Sequence, residues 1–179
     1  MNDDILVSQP NGHHLAEVNI GMAVDDLDTP TMAGFMNALD KVNRIADHSP
    51  GFVWRLQDEA GKVTGVKHSD NPSEIVNLSV WQTGADLEHY VWNTVHRQFM
   101  KRHTQWFVPL DRLYFVMWWV PIGIVPTLAG AICRVSGFGI RHSQLAPQTM
   151  AAIRWLVFAR PFQHAVTCAL SHDRLTENW

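Results

Sequence analysis

The sequence predicts an α+β fold in which four strands and two helices follow one another in the order β-α-β-β-α-β. Three observations support this prediction. Short segments with alternating polar and apolar residues indicate half-buried strands, two longer segments have apolar residues at helical spacing, and Pro, Gly and Asp separate these segments. The 179 residues, 46% of them hydrophobic and 17% charged, suit one globular domain with its own core.

The first two elements are a strand and a helix. Residues 14–21 alternate between apolar and polar side chains, so we expect a half-buried strand with Glu17 and Asn19 on its polar face. A helix is predicted over about residues 31–48, because Pro30 suits a first helical turn and Pro50-Gly51 ends the helical spacing.

The remaining elements complete the arrangement. Residues 52–57 predict a second strand, which residues 62–67 extend as an irregular hairpin, and residues 75–82 predict a third strand. A long second helix is expected over residues 86–106, and the aromatic-rich residues 113–120 predict the fourth strand. This is the split order of ferredoxin-like folds, in which a four-stranded antiparallel sheet carries two helices on one face.

Residues 113–133 allow a second interpretation. These 21 residues carry no charge, and this length could cross a bilayer, as in a membrane-anchored protein. Pro121 and Pro126, with Gly123 between them, would break such a helix near its middle, so we favour a strand followed by a loop and do not expect a membrane partner.

Charge and the first residues indicate the compartment and the partners. The net charge of −3 gives no reason to expect a nucleic-acid partner. The acidic start, Met1-Asn-Asp-Asp4, lacks the cationic and apolar regions of a signal peptide, so we expect a cytoplasmic protein.

Six short motifs follow one another along residues 12–128. They are His14-Leu-Ala-Glu-Val-Asn19, Pro50-Gly-Phe-Val-Trp-Arg-Leu56, Asn77-Leu-Ser-Val-Trp81, His96-Arg97, Trp106-Phe107, and Trp118-Trp-Val-Pro121 with Gly123 and Pro126-Thr127. In this order they resemble domain-of-unknown-function family 3291, which is similar to the dimeric α/β-barrel superfamily. That superfamily also contains antibiotic-biosynthesis monooxygenases and haem-degrading or haem-binding proteins.

The resemblance implies a domain over residues 1–128 and a homodimer. Since two helices cover only one face of a sheet, we expect two copies to pair through their open faces as a dimeric α/β barrel. Residues 129–179 depart from the family pattern, and we expect them to form an atypical tail that is partly helical or disordered.

Three histidines on the second predicted helix are candidates for chemistry. His89, His96 and His103 lie seven residues apart, a rise of about 10 Å, so no two of them can bind one metal ion and no metal site is expected. His96 falls on a family motif, so it could transfer a proton or act as an axial haem ligand. The alternative is a histidine that is hydrogen-bonded or hydrated at the edge of the core.

The third strand places Asn77, Ser79 and Trp81 on one face, and Asn19 and Arg55 could extend this polar, aromatic surface. A ligand or water could satisfy these groups, or they could satisfy one another. The resemblance implies that Asn77 and Trp81 act with His96 as catalytic residues, while Asn19, Arg55 and Ser79 contact the ligand.

Two further residues are expected to contact the ligand. Arg102 is expected near the centre of the apolar face of the second predicted helix, where it could bind a carboxylate or phenolate of a ligand. Alternatively, Arg102 pairs with Glu17 or extends to the surface. Trp118 comes from the motif on the fourth strand.

The function that follows is a monooxygenase-like oxidoreductase acting on a hydrophobic or aromatic small molecule. No cofactor is expected, although haem is possible. The alternatives are a non-catalytic module that binds haem or another small molecule, and a membrane-anchored protein.

Overall fold

A computed structural model describes residues 9–141, apart from residues 60, 62–63, 67–68, 95 and 111–113. The part of the predicted tail from residue 142 onwards lies outside the described residues. The strands are β1 His13–Ala23, β2 Phe52–Arg55, β3 Glu74–Trp81, β4 Phe107–Val108 and β5 Phe115–Pro121. The helices are α1 Pro30–Asp47, α2 Gly84–Asn93, α3 His96–Arg102 and α4 Leu128–Arg141, with a 3-10 turn at His103–Gln105.

Strand β1 is the centre of an antiparallel sheet. It pairs with β3 on one side and with β5 and the short β4 on the other, while β2 pairs with the outer side of β3. The α+β class and the split order are therefore confirmed. Within the described residues the sheet has five strands rather than the expected four, because two residues before β5 pair with the end of β1 as β4.

The two faces of the sheet are covered by different helices. On one face, Leu15 and Trp81 pack against α1 and α2, in agreement with the prediction of helices on one face. On the other face, the side chains of β1, β3 and β5 pack against Ala131 and Val135 of α4. Helix α4 begins at Leu128, the last residue of the predicted domain, and continues into the segment for which we expected an atypical tail. It covers sheet surface that we expected to face a second copy.

The single long helix predicted over residues 86–106 is wrong. Helix α2 ends at Asn93, and Thr94 is extended, with φ −117° and ψ −176°. The Thr94 hydroxyl donates to the Tyr90 carbonyl at 2.6 Å and accepts from the His96 backbone N–H at 3.2 Å, so one side chain satisfies the end of α2 and the start of α3. Because of this break, His89, His96 and His103 lie on three different elements rather than on one helix.

The bounds of the strands predicted over residues 52–57 and 113–120 also differ in the structure. The second strand ends at Arg55, and its expected hairpin partner, residues 62–67, lies partly outside the described residues. The segment considered as a membrane span contains β5, a loop and the beginning of α4. In the described part of the chain, no helix is both long enough and apolar enough to cross a membrane.

Candidate functional site

A cavity of about 260 Å³ lies between the sheet and helices α1, α2 and α3. Its walls are mainly apolar and aromatic, and its floor is a patch of polar side chains on β1 and β3. The aromatic side chains of the wall are Phe35, Phe52, Trp81, Tyr90, Phe99, Phe107, Tyr114 and Phe115. Such a cavity excludes most water and strengthens electrostatic interactions inside it.

Glu17 is the centre of the polar floor. Its side chain is only 3% exposed, and its Oε1 accepts hydrogen bonds from Ser79 Oγ at 2.7 Å and from Asn77 Nδ2 at 3.1 Å. Oε2 accepts from Asn19 Nδ2 at 3.2 Å. The strand register explains this cluster, because Glu17 lies opposite Ser79 and Asn19 lies opposite Asn77 on the same face. We name these four residues the polar floor.

Burial raises the pKa of the Glu17 carboxyl from 4.5 to about 7, although its hydrogen bonds from Ser79 and Asn19 favour the charged form. Among the described residues, Glu17 makes no ion pair. A carboxyl group with this pKa is present in both protonation states near neutral pH, which suits proton transfer.

Trp81 connects the polar floor to the aromatic wall. Its indole N–H donates to Ser79 Oγ at 2.9 Å, and Ser79 in turn donates to Glu17. The Trp81 ring stacks on Tyr90, with centroids 5.0 Å apart and planes 25° apart, and meets Phe52 edge to face at 5.3 Å. These contacts fix the orientation of the indole in the cavity wall.

His96 begins α3 and lines the same cavity. Its ring centroid lies 4.8 Å from that of Tyr90 and 6.2 Å from that of Phe99. Burial lowers the pKa of His96 from 6.5 to about 4, an effect that the Val91 carbonyl partly opposes, so the imidazole is neutral at physiological pH. His96 Nδ1 is buried and has no hydrogen-bond partner among the described residues, so a bound ligand could supply one.

Arg55 also lines the cavity, but its charge is balanced by Asp47. Arg55 Nε donates to Asp47 Oδ1 at 2.7 Å and Nη2 donates to Oδ2 at 3.2 Å. The third donor, Nη1, contacts the Gly61 carbonyl at 3.3 Å. The guanidinium is therefore held at the edge of the cavity by a bidentate pair.

Two expected ligand contacts lie elsewhere. Arg102 is exposed, because α3 ends there; its guanidinium lies 4.8 Å from the Trp106 ring and its Nε donates to Gln105. Trp118 is on the opposite face of the sheet, 5.2 Å from the Arg134 guanidinium of α4, because β5 alternates and directs Met117 towards the helices of the cavity. Neither residue is among those that line the cavity.

The structure brings the other predicted residues together. Asn19, Arg55, Asn77, Ser79, Trp81 and His96 all line one cavity. Glu17 was not predicted as a site residue, although an acidic side chain in the middle of an apolar strand is a visible signal. Tyr90 was not predicted either, although its spacing from Leu87 and Val91 places it on the buried side of α2.

Comparison with known proteins gives a family match and several distant structural similarities. The sequence matches the family model described as Domain of unknown function (DUF3291) over residues 14–142, a range that includes α4. None of the curated proteins matches the chain.

The structure is similar to SnoaB, a cofactor-independent oxygenase from Streptomyces nogalater, with 12% identity over 64% of this chain and 96% of that one and a TM-score of 0.42. It is similar to a candidate antibiotic biosynthesis monooxygenase from Nitrosomonas europaea, with 14% identity over 68% and 99% and a TM-score of 0.43. It is also similar to NE2512, a protein of unknown function from the same organism, with 13% identity over 68% and 100% and a TM-score of 0.41.

Proposed function

We propose that this chain, which belongs to the DUF3291 family, is a monooxygenase-like enzyme that acts on a hydrophobic or aromatic small molecule. The observation that supports this most is the cavity itself, which combines aromatic walls with a buried, ionisable polar floor. Its volume of about 260 Å³ is slightly below the usual range for small-molecule sites, ~300–1,000 Å³, and suits a molecule of two or three rings.

The residues of the cavity divide into two roles. The stacked rings of Trp81 and Tyr90 offer a flat surface for a planar substrate. His96 and Asn77 offer polar atoms that orient it and stabilise charge on its oxygen. In the overall reaction one atom of dioxygen enters the substrate, while the other leaves as water with two substrate hydrogens, so that no added reductant is needed.

Oxygen uptake tests this proposal. Purified protein is mixed with a series of two- and three-ring aromatic compounds, dioxygen consumption is followed with an electrode, and products are identified by mass spectrometry. His96→Gln should lower kcat/KM at least tenfold, which corresponds to about 1.4 kcal/mol. His89→Gln is the matched control, since His89 is exposed on α2. Wild-type protein that consumes no dioxygen with any compound, or full activity of His96→Gln, would contradict the proposal.

Non-catalytic binding of haem is the second candidate function. The observation that favours it is His96 Nδ1, which has no hydrogen-bond partner in the part of the chain that the structure describes, since a neutral imidazole in an apolar cavity can be an axial ligand. Arg55, which could pair with a haem carboxylate, is already held by Asp47. The absorption spectrum of the purified protein after addition of haem distinguishes the two functions, since a bound haem produces a Soret band that His96→Gln should shift.

A further inference from the structure

We propose that Glu17 is the catalytic base of this site, and that the substrate is a neutral, planar aromatic molecule with an acidic hydroxyl group, such as a phenol or naphthol. The inference rests on the proposed function for the oxidation that follows, but the proton transfer and the choice of ligand can be tested without any turnover.

The position of Glu17 is the first argument. Its carboxylate lies at the floor of an aromatic cavity and is held by Ser79, Asn77 and Asn19. A carboxylate has about four acceptor positions, and the donors among the described residues leave one, on Oε2. A ligand hydroxyl that enters the cavity can donate to this position, and the three protein donors keep the carboxylate from rotating.

The charges that face the cavity are the second argument. From β2 and α1, Arg55 and Asp47 form a pair that balances itself. From α2 and α3, burial raises the pKa of Tyr90 and lowers that of His96, so both side chains are neutral near pH 7. Burial likewise raises the pKa of Tyr114 to about 12.

The charges around the cavity favour a neutral ligand. An anionic ligand would be repelled by ionised Glu17, and a cationic ligand would pair with that carboxylate and make it a weaker base. A neutral hydrogen-bond donor satisfies the free acceptor position without adding a buried charge. The aromatic walls add the requirement for a flat ring.

The chemical step is a proton transfer. The O–H bond of the substrate breaks, a new O–H bond forms on Glu17, and the electron pair stays on the substrate oxygen and delocalises into the ring. A C–O bond then forms between a ring carbon and dioxygen; when the O–O bond breaks, one oxygen atom stays on that carbon as a carbonyl, and the other leaves as water with the hydrogen of that carbon and the proton held by Glu17. The buried carboxyl titrates near neutral pH, which allows it to accept and release this proton.

Binding of two matched probes tests the proposal. The probes are 2-naphthol and 2-methylnaphthalene, which differ by a hydroxyl in place of a methyl group, and their Kd values are measured by calorimetry. At about pH 8, where Glu17 is largely ionised, 2-naphthol should bind at least tenfold more tightly than 2-methylnaphthalene. At about pH 5.5 most of this preference should be lost, because Glu17 is then protonated while His96 is still neutral.

Three variants identify the group responsible. Glu17→Gln should lose the preference for 2-naphthol at both pH values and bind 2-methylnaphthalene as wild-type protein does. Glu88→Gln, the same change on the exposed side of α2, should behave as wild type. His103→Gln should also keep the pH dependence, which excludes His103, the other histidine that lines the cavity.

The outcomes separate this inference from the proposed function. If 2-methylnaphthalene binds but the hydroxyl adds no preference, or if Glu17→Gln keeps that preference, the role of Glu17 is wrong and the apolar site stands. If neither probe binds, both proposals are overturned. If the preference depends on Glu17 but no aromatic compound causes oxygen uptake, the inference stands and the oxidation is wrong.

Discussion

The free energy of unfolding of Glu17→Gln is expected to increase relative to that of the wild-type protein as the pH rises. The folded protein holds the Glu17 proton more tightly than the unfolded chain, since the pKa rises from 4.5 to about 7 on folding. For an acid with a raised pKa, the contribution to stability is fully present below the unfolded value and is lost as the pH rises through the folded value. Above about pH 7 the wild-type protein therefore carries a buried negative charge without an ion pair in the described residues.

The size of the effect follows from the two pKa values. A change from 4.5 to about 7 corresponds to about 3 kcal/mol, since each pH unit is worth about 1.4 kcal/mol. His96 acts in the opposite direction: its lowered pKa gives stability above 6.5 that is lost as the pH falls towards 4. Because His96 is present in both proteins, its contribution cancels in the difference between wild type and Glu17→Gln.

Urea denaturation from about pH 5 to about pH 8 measures this difference. The free energy of unfolding of Glu17→Gln relative to wild type should increase by about 2–3 kcal/mol over this range. Glu88→Gln, with its exposed side chain, should show a small difference that does not vary with pH. A difference for Glu17→Gln that stays constant from acid to alkaline pH would refute the reasoning.

Three further changes have expected outcomes. In Gly21→Ala the new Cβ would lie 2.8 Å from the Phe107 ring, so we expect a loss of about 1–3 kcal/mol in thermal unfolding and weaker binding of aromatic probes. Trp81→Phe keeps a stacking ring but loses the indole hydrogen bond to Ser79, and it should cost about 1–3 kcal/mol in urea denaturation. A chain that ends at Thr127 loses α4; calorimetry should show a cooperative transition at a lower Tm, and light scattering should show increased self-association through the uncovered sheet face.

The split order of strands and helices could be predicted because local patterns determine it. Alternation in β1 and β3 separates their two faces, and Pro30 and Pro50 bound the first helix. The break at Thr94 could not be predicted, because helical spacing continues across it and the cause is a side-chain hydrogen bond that requires the folded backbone.

The candidate site was predictable in part for the same reason. Asn77, Ser79 and Trp81 share a face by strand alternation alone, so their place in the cavity follows from sequence. The position of Arg102 depended on one uninterrupted helix, and it changed when that helix ended. The significance of Glu17 required the register between β1 and β3, which no single segment of sequence reveals.

The homodimer implied by the family resemblance stays a prediction. Helix α4 places Ala131 and Val135 on the sheet face through which two copies were expected to pair. Light scattering of the full chain measures the oligomeric state directly, and comparison with the chain that ends at Thr127 shows whether α4 and a second copy compete for this face.

The floor and the walls of the cavity lie on separate elements of the chain, so the walls can change in evolution while the floor is kept. The floor lies on β1 and β3, which pair over eight residues of each strand, whereas much of the wall lies on α1, α2 and α3. Substitutions at wall positions such as Leu39 and Val42 leave the backbone ladder of the sheet intact. Related chains can therefore vary the wall while retaining the polar floor, and a directed-evolution library confined to helix positions other than His96 would search ligand preference without altering that floor.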